Sequence, residues 1–224
     1  MRNLALGLID SGIAGPLLGS VAASRCFLAA ADGDVSQAAA ADDQLGHGTA
    51  LAGILLQGAP AARLLNAQVF CRSLSCSAAQ VAAALDWLCE QGAQLVNMSF
   101  GLREDRPSLR MACERALEQG VILVAAAPAR GEPVFPAAYA GVIRATGDAR
   151  CAPGELSFLN TSQADFGGHV RAGATGVAGA SVGCAQVAAR AAAFLSAHPG
   201  GSAAQLRTWL AEQASYRGPE RRVC

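Results

Sequence analysis

The sequence lacks an excess of either charge, because its 224 residues include 17 basic and 17 acidic ones. Neither sign forms a long run, so nothing indicates binding to nucleic acid or to an anionic membrane surface. The chain also lacks an uncharged apolar run long enough to span a membrane. Its apolar N-terminus meets Asp10 too early, and without a small-residue cleavage site, to be a signal peptide. We therefore expect no nucleic-acid partner, no membrane and a cytoplasmic location.

The cysteines lack both the paired spacing of zinc sites and the density of a small disulfide-stapled scaffold. All eight are scattered between Cys26 and Cys224, and we predict that most are buried free thiols. A bridge between Cys71 and Cys76 remains an alternative, because these two lie close in sequence. The acidic residues also lack the spacing of a calcium loop. We therefore expect no metal and no cofactor.

What the chain does have is ample apolar material in a regular order. Hydrophobic residues make up 52% of it, enough for the core of a single domain over residues 1–224. Short apolar runs alternate with segments of helical spacing, as in successive βαβ units. This alternation predicts an α/β fold, with a mostly parallel twisted sheet and helices on both faces. The predicted strands are 4–9, 64–70, 95–100, 121–126 and 142–146. The predicted helices are 49–57, 77–90, 108–119, 182–198 and 202–214, with Ser77 and Ser202 as N-caps. Residues 29–41 are predicted to be surface loop, and residues 155–175 to be irregular or short-stranded.

Ser181 follows Gly179 at the start of the longest small-residue apolar stretch. The first turn of a helix offers unpaired N–H groups and a positive dipole end, which suits a serine that must stabilise an oxyanion. Serine is also a common helix N-cap, and on this stretch alone the cap is the favoured interpretation.

Two further polar residues change that interpretation. Asp10 ends the first predicted strand beside Gly12, and His47 stands at the entrance of the first predicted helix. Serine is a poor nucleophile until a histidine takes its proton, and the histidine needs a carboxylate to fix its tautomer. Asp10, His47 and Ser181 therefore predict nucleophilic acyl transfer, in the chain order Asp, His, Ser that is known from subtilisin.

The sequences around these residues resemble the motifs of the subtilisin family of serine peptidases. The matching segments are LIDSG at 8–12, HGTALAG at 47–53, NMSFG at 97–101, FPA at 135–137, GAS at 179–181 and VA at 187–188. Since they run from near the N-terminus into the last long helix, the resemblance covers nearly the whole chain. It implies a subtilisin-like fold of three layers, and an endopeptidase in which Ser181 attacks, His47 is general base and acid, and Asp10 orients His47.

The resemblance also implies a binding site for an extended peptide. Ser99, Phe100 and Gly101 correspond to the strand that pairs with the substrate backbone, a mode that resembles strand addition. Ala126 and Ala127 correspond to the wall of the pocket for the residue before the cut.

The chain departs from the family pattern at the oxyanion hole. Ala129 stands where the family usually has an asparagine donor, Ala180 where a threonine is common, and Ala185 where a proline is usual. In subtilisin, the loss of one such donor costs about 10²–10³ in turnover. Either Ser181 N–H acts with a substitute donor, of which Arg130 is nearest in sequence, or the protein is a slow or inactive peptide-binding or chaperone-like module. The intact set of Asp10, His47 and Ser181 favours catalysis.

Two other departures concern processing and metal binding. We expect no folding pro-segment, because the sequence reaches Asp10 within ten residues of Met1. Residues 57–60 lead almost directly to the next predicted strand, so we also expect the family's usual calcium-binding loop to be absent. We expect a peptidase that folds unaided, without calcium, and that has narrow specificity.

A role in maturation fits that specificity, and the chain is similar to the small subtilisin-like peptidase that removes a leader peptide in quinohemoprotein amine dehydrogenase biogenesis. The expected partner is a peptide or protein substrate, in the narrower form one dedicated leader-bearing precursor. An esterase-like hydrolase is disfavoured, because the chain has no Gly-x-Ser-x-Gly elbow.

Overall fold

A computed structural model describes residues 3–30 and 33–220 of the chain. Within these residues ten strands form one sheet, and five α-helices pack against it. The strands are β1 (Ala5–Asp10), β2 (Val21–Ala29), β3 (Val35–Ala38), β4 (Arg63–Gln68), β5 (Leu95–Met98), β6 (Ile122–Ala126), β7 (Ile143–Gly147), β8 (Leu156–Phe158), β9 (Phe166–Gly168) and β10 (Tyr216–Arg217). The helices are α1 (His47–Gly58), α2 (Ala78–Glu90), α3 (Pro107–Glu118), α4 (Ala180–Ala197) and α5 (Ala203–Glu212).

The order of the strands is β10-β8-β9-β7-β6-β5-β1-β4-β2-β3. Neighbouring strands are parallel except in the pairs β2/β3 and β8/β9, so the predicted mostly parallel sheet is confirmed. β1 lies between β4 and β5, where the chain reverses its direction of travel across the sheet. In parallel α/β sheets such a reversal opens a crevice at the carboxyl ends of the strands, where ligands bind.

The sheet separates two apolar cores, as the alternation along β1 shows. Leu6 and Leu8 pack into the core that contains α1, α4 and α5, whereas Ala5 and Ile9 pack into the core that contains α2 and α3. Successive residues of a strand point to opposite faces, so a strand covered on both sides is apolar throughout. The predicted helices on both faces are confirmed.

Capping residues fix where two helices begin. Ser77 precedes α2 and accepts from Gln80 N at 3.2 Å, while Gln80 Oε1 accepts from Ser77 N at 2.9 Å. Ser202 and Gln205 make the same reciprocal pair before α5, with the same two distances. Both are capping boxes, in which serine and glutamine each satisfy one otherwise free N–H. The two predicted N-caps are confirmed.

The prediction of a surface loop over residues 29–41 is wrong in part. β2 continues to Ala29, and β3 (Val35–Ala38) turns back to pair with it, beyond β4 at the edge of the sheet. Most side chains of β2 and β3 are exposed or half-buried. This edge hairpin is rich in alanine and has only Val21 and Val35 as β-branched residues, so it lacks the apolar alternation by which strands are predicted.

The seven described cysteines are all free, so Cys71 and Cys76 do not form the bridge left open above. Cys71 instead lies next to Cys26, with 3.6 Å between the two sulfur atoms. Burial raises the pKa of the Cys113 and Cys184 thiols to about 12. Cys224 lies outside the described residues.

The long helix α4 is the centre of one core. It is the single helix of the described ranges that is long and apolar enough to cross a membrane, yet 67% of its 18 residues are buried inside the protein. Such burial is typical of the core helix of a globular fold.

Gly183 allows α4 to lie directly against β7. A Cβ atom at this position would collide with the main-chain oxygen of Thr146. We expect Gly183→Ala to lower the free energy of unfolding by about 2–3 kcal/mol, because backbone on both sides leaves no room to adjust. The matched control is Gly53→Ala in α1, where the new Cβ meets only Leu17 Cδ1 at 3.8 Å; it should stabilise by about 0.5–1 kcal/mol through helix propensity. Urea denaturation of both variants checks this, and equal midpoints would contradict it.

Candidate active site

Asp10 and His47 meet at the carboxyl end of β1. His47 Nδ1 lies 2.7 Å from Asp10 Oδ1, which also accepts from Ser11 N at 2.7 Å. The Asp10 side chain is fully buried and that of His47 is 12% exposed. A carboxylate at Nδ1 makes this nitrogen the protonated one and leaves Nε2 free to accept a proton. The structure thus brings together two of the three residues that the sequence singled out.

Asp43 is a residue that the sequence interpretation did not single out, and it fixes the start of α1. Its two carboxylate oxygens accept from the main-chain N–H groups of Leu45, Gly46 and Thr49 at 2.9–3.0 Å, and from Thr49 Oγ1 at 2.7 Å. These bonds lower the pKa of Asp43 in spite of its burial. The bonds to Leu45 and Gly46 have the common spacing of an Asx turn, but the bonds to Thr49, six residues ahead, do not, so the folded loop is needed to reveal them.

The electrostatics of this corner favour the charged form of His47. Burial lowers the pKa of His47, but the hydrogen bond to Asp10 and the charges of Asp10 and Asp43 outweigh burial and raise the pKa above its ordinary value. The protonated imidazolium form of His47 is therefore stabilised in this position.

Ser181 is the second residue of α4, half-buried at the same edge of the sheet. Its hydroxyl donates to the main-chain oxygen of Ser99 at 2.8 Å, and Ser99 Oγ donates to the main-chain oxygen of Ser181 at 3.0 Å. Within the described residues no hydrogen bond joins Ser181 to His47. Side chains at catalytic sites commonly reach their working alignment only with substrate bound, so a bond between these two side chains is not required in the free protein.

A buried polar network holds the Ser181 end of α4 against β5. Asn97 Nδ2 donates to Ser99 Oγ at 2.8 Å, and the Cys184 thiol lies 3.4 Å from Asn97 Oδ1. Asn97, Ser99 and Cys184 are all at most 3% exposed. Such a fully bonded network fixes the position of the groups it joins.

The main chain of Phe100 and Gly101 is free to pair with a peptide. β5 ends at Met98, before the predicted end of the strand, and no described backbone group bonds to residues 100 and 101. The chain then joins a second segment, through paired hydrogen bonds of 2.7 and 2.8 Å between Leu102 and Phe135. An unpaired edge of this kind, next to Ser181, can accept an extended peptide by strand addition.

The other residues predicted to contact substrate lie in and after β6. Ala126 and Ala127 are 5% and 2% exposed, and they pack in the apolar cores on the two sides of the sheet. Ala129 and Arg130 are exposed in the turn that follows. The methyl side chain of Ala129 cannot donate a hydrogen bond, and the Arg130 side chain makes no hydrogen bond within the described residues.

One oxyanion donor follows from the helix itself. The first intrahelical bond at the start of α4 is from Gly183 N to Gly179 O, at 3.1 Å. The N–H groups of the first turn before it, including that of Ser181, have no intrahelical acceptor and carry the positive end of the helix dipole. The arrangement can stabilise negative charge beside Ser181 Oγ with main-chain groups.

Comparison with known proteins matches this chain to one family of proteases. A profile of the subtilase family matches residues 2–223. Subtilisin DY of Bacillus licheniformis is 29% identical over 247 aligned positions, which cover 96% of this chain and 85% of that protein. A thermostable alkaline protease of Halalkalibacterium halodurans is 28% identical and covers 95% of this chain, and the minor extracellular protease Epr of Bacillus subtilis is 32% identical over 63% of it. The matched parts are only 62% and 23% of the lengths of these last two relatives.

Solved structures share the fold at lower identity. The protease domain of PatA is 20% identical with a TM-score of 0.68, and covers 96% of this chain and 91% of that one. A lanthipeptide protease is 19% identical with a TM-score of 0.65, over 92% of this chain and 79% of that one. The prenylagaramide maturation protease PagA is 19% identical with a TM-score of 0.58, over 86% of this chain and 75% of that one.

Proposed function

The chain belongs to the subtilase family, and from that premise we propose that it is a serine endopeptidase with Asp10, His47 and Ser181 as its catalytic triad. The observation that carries the proposal is the 2.7 Å contact between Asp10 and His47, at the same sheet edge as Ser181. A buried carboxylate at Nδ1 orients the histidine and keeps Nδ1 protonated, so that Nε2 can act as the general base.

In this proposal the substrate backbone pairs with Phe100 and Gly101, and its carbonyl is placed over Ser181. The Ser181 hydroxyl turns from Ser99 O to His47 Nε2 and attacks, and His47 takes the proton. The free N–H groups at the start of α4 bind the oxyanion. His47 then protonates the leaving nitrogen, and the acyl-enzyme is hydrolysed by water through the same steps.

The rate of this reaction is expected to depend on the raised pKa of His47. Only the neutral imidazole accepts the proton, so kcat/KM should fall on the acid side of its pH profile through a pKa above about 6.5. Asp43→Asn removes one of the charges that raise this pKa, so the acid limb should move to lower pH. Asp42 is exposed and its charge is not among the causes of the shift, so Asp42→Asn should leave the limb in place. An unmoved limb in Asp43→Asn would contradict the assignment.

The physiological role that we propose is maturation of a protein partner by removal of a leader peptide, in the cytoplasm. Two structural neighbours support this role, since one is described as a lanthipeptide protease and another as a prenylagaramide maturation protease. The alanine at position 129 supports it as well, because a weak oxyanion hole suits an enzyme that acts on one tightly bound precursor. The narrower resemblance to the quinohemoprotein amine dehydrogenase maturation peptidase remains a prediction.

A second candidate is a peptide-binding or chaperone-like module of feeble activity. The observation in its favour is that the Ser181 hydroxyl bonds to Ser99 and that Ala129 brings no donor. Incubation with leader-bearing precursors, followed by mass spectrometry of new termini, separates the two candidates. One discrete new terminus, absent with His47→Ala, supports the peptidase; a precursor that is bound and stays intact supports the module.

A further inference from the structure

A cavity of about 880 Å³ lies along α1, next to the candidate active site and outside it. One wall is the face of α1 that starts at Gly46, the residue before His47, and ends at Gln57. The opposite wall includes residues of segment 169–177, which precedes Ser181. We call this cavity the α1 groove. Eleven helical steps of about 1.5 Å make it about 16 Å long, enough for about five residues of extended peptide.

The floor of the groove is apolar but contains the amide group of one largely buried glutamine. Ala50, Ile54 and Val177 contribute apolar surface. Gln186 of α4 also lines the groove, and it is only 8% exposed. Its side chain makes no hydrogen bond to any residue in the described part of the chain, residues 3–30 and 33–220. The amide atoms of Gln186 are not among the buried side-chain atoms that lack a partner, so they face the open space of the groove and are available to bind a peptide group.

The groove is also lined by an arginine side chain without a counter-ion. Arg171 is exposed at its wall and forms no ion pair within the described residues. Asp43, the one carboxylate that lines the groove in those residues, has both oxygens occupied by the hydrogen bonds at the start of α1. The guanidinium is therefore available for a carboxylate from outside, which it can bind through two parallel bonds.

The position of the groove identifies the part of a substrate that enters it. The half of the peptide that becomes the acyl group lies along Phe100 and Gly101. His47 protonates the nitrogen of the other half, so that half leaves from the His47 side. The groove begins beside His47, and its lining includes none of residues 99–101. It is therefore open to the residues that follow the scissile bond.

Resting on the proposed peptidase function, we propose that the α1 groove binds the segment on the C-terminal side of the scissile bond, and that Arg171 selects an acidic side chain in that segment. Gln186 bonds a peptide group of the same segment, and the small residues of α1 admit an apolar side chain beside it. In a leader-bearing precursor, part of the recognition then lies in the segment after the leader.

A peptide library tests this without knowledge of the substrate. Proteome-derived peptides with blocked amino termini are cleaved by the full chain, and the new termini are identified by mass spectrometry. We expect Asp and Glu to be enriched about threefold to tenfold at one of the first five positions after the cut, the range of a partly exposed ion pair. Arg171→Glu should abolish this enrichment and favour Lys or Arg at the same position.

The matched control is Arg63→Glu, an equal charge reversal at the exposed start of β4, which is the opposite edge of the sheet from Asp10. It should keep the acidic preference. A second variant, Gln186→Met, should lower kcat/KM for a peptide chosen from the library while leaving a chromogenic substrate without residues after the cut within about twofold. Cleavage without acidic enrichment, or enrichment unchanged in Arg171→Glu, overturns the groove assignment alone. If the wild-type chain cleaves nothing, the proposed function fails first and the groove assignment falls with it.

Discussion

Ser181→Ala is expected to lower kcat/KM on peptide substrates by at least about 10³-fold. In subtilisin, removal of the nucleophile costs about 10⁶ in kcat; here the starting rate should be lower, because Ala129 brings no oxyanion donor, so the measurable loss is smaller. His47→Ala should cost a similar factor. The double variant should be no worse than either single one, since the residues of a triad act as a unit. Steady-state kinetics on one peptide checks this.

Two controls separate a catalytic loss from a structural one. Ser162→Ala changes an exposed serine whose hydroxyl bonds only to the neighbouring Gln163 side chain, and it should leave the rate unchanged. Thermal midpoints of Ser181→Ala and the wild-type chain should agree within a few degrees, although the variant also loses the bond to Ser99 O. Additive losses in the double variant, or residual activity of Ser181→Ala near the wild-type level, would refute the assigned roles.

Ala129→Asn is expected to raise kcat by about 10- to 100-fold, because one oxyanion donor contributes about 10²–10³ in subtilisin and a newly introduced one is held less firmly. Ala129 is exposed in the turn after β6, so the longer side chain meets no packed core. KM should change little, since the oxyanion exists only on the way to the acyl-enzyme.

Ala129→Asp is the matched control for this gain. Its side chain has the shape of asparagine but offers a negative charge in place of an N–H donor, so it should lower kcat below that of the wild-type chain. If asparagine and aspartate have equal effects, position 129 does not face the oxyanion. Loss of activity in Arg130→Ala would instead identify Arg130 as the substitute donor.

The three proposed triad residues could be singled out from the sequence because each is marked locally. Asp10 ends an apolar run, His47 stands among glycines before helical spacing, and Ser181 opens the longest apolar stretch. The carboxyl ends of parallel strands lie at one edge of the sheet, and the helices that follow them begin at that edge. The sequence pattern alone therefore implies that Asp10, at the end of a strand, lies near the starts of such helices. The 2.7 Å contact to His47 is the expected result.

Other features depend on contacts between distant segments and could not be predicted. Asp43 closes a turn of irregular shape, and the bond between Ser181 and Ser99 joins residues 82 positions apart. The α1 groove is formed by residues from α1, from segment 169–177 and from α4. A gap between two packed segments leaves no periodic pattern in the sequence, so this groove could not be predicted.

The central claim, that Ser181 is a nucleophile activated by His47, is tested most directly by a fluorophosphonate probe and mass spectrometry of the labelled chain. We predict one adduct per folded molecule, located on Ser181, absent in Ser181→Ala and slowed at least about 10²-fold in His47→Ala. A folded wild-type chain that stays unlabelled, or an adduct on another serine, would contradict the claim.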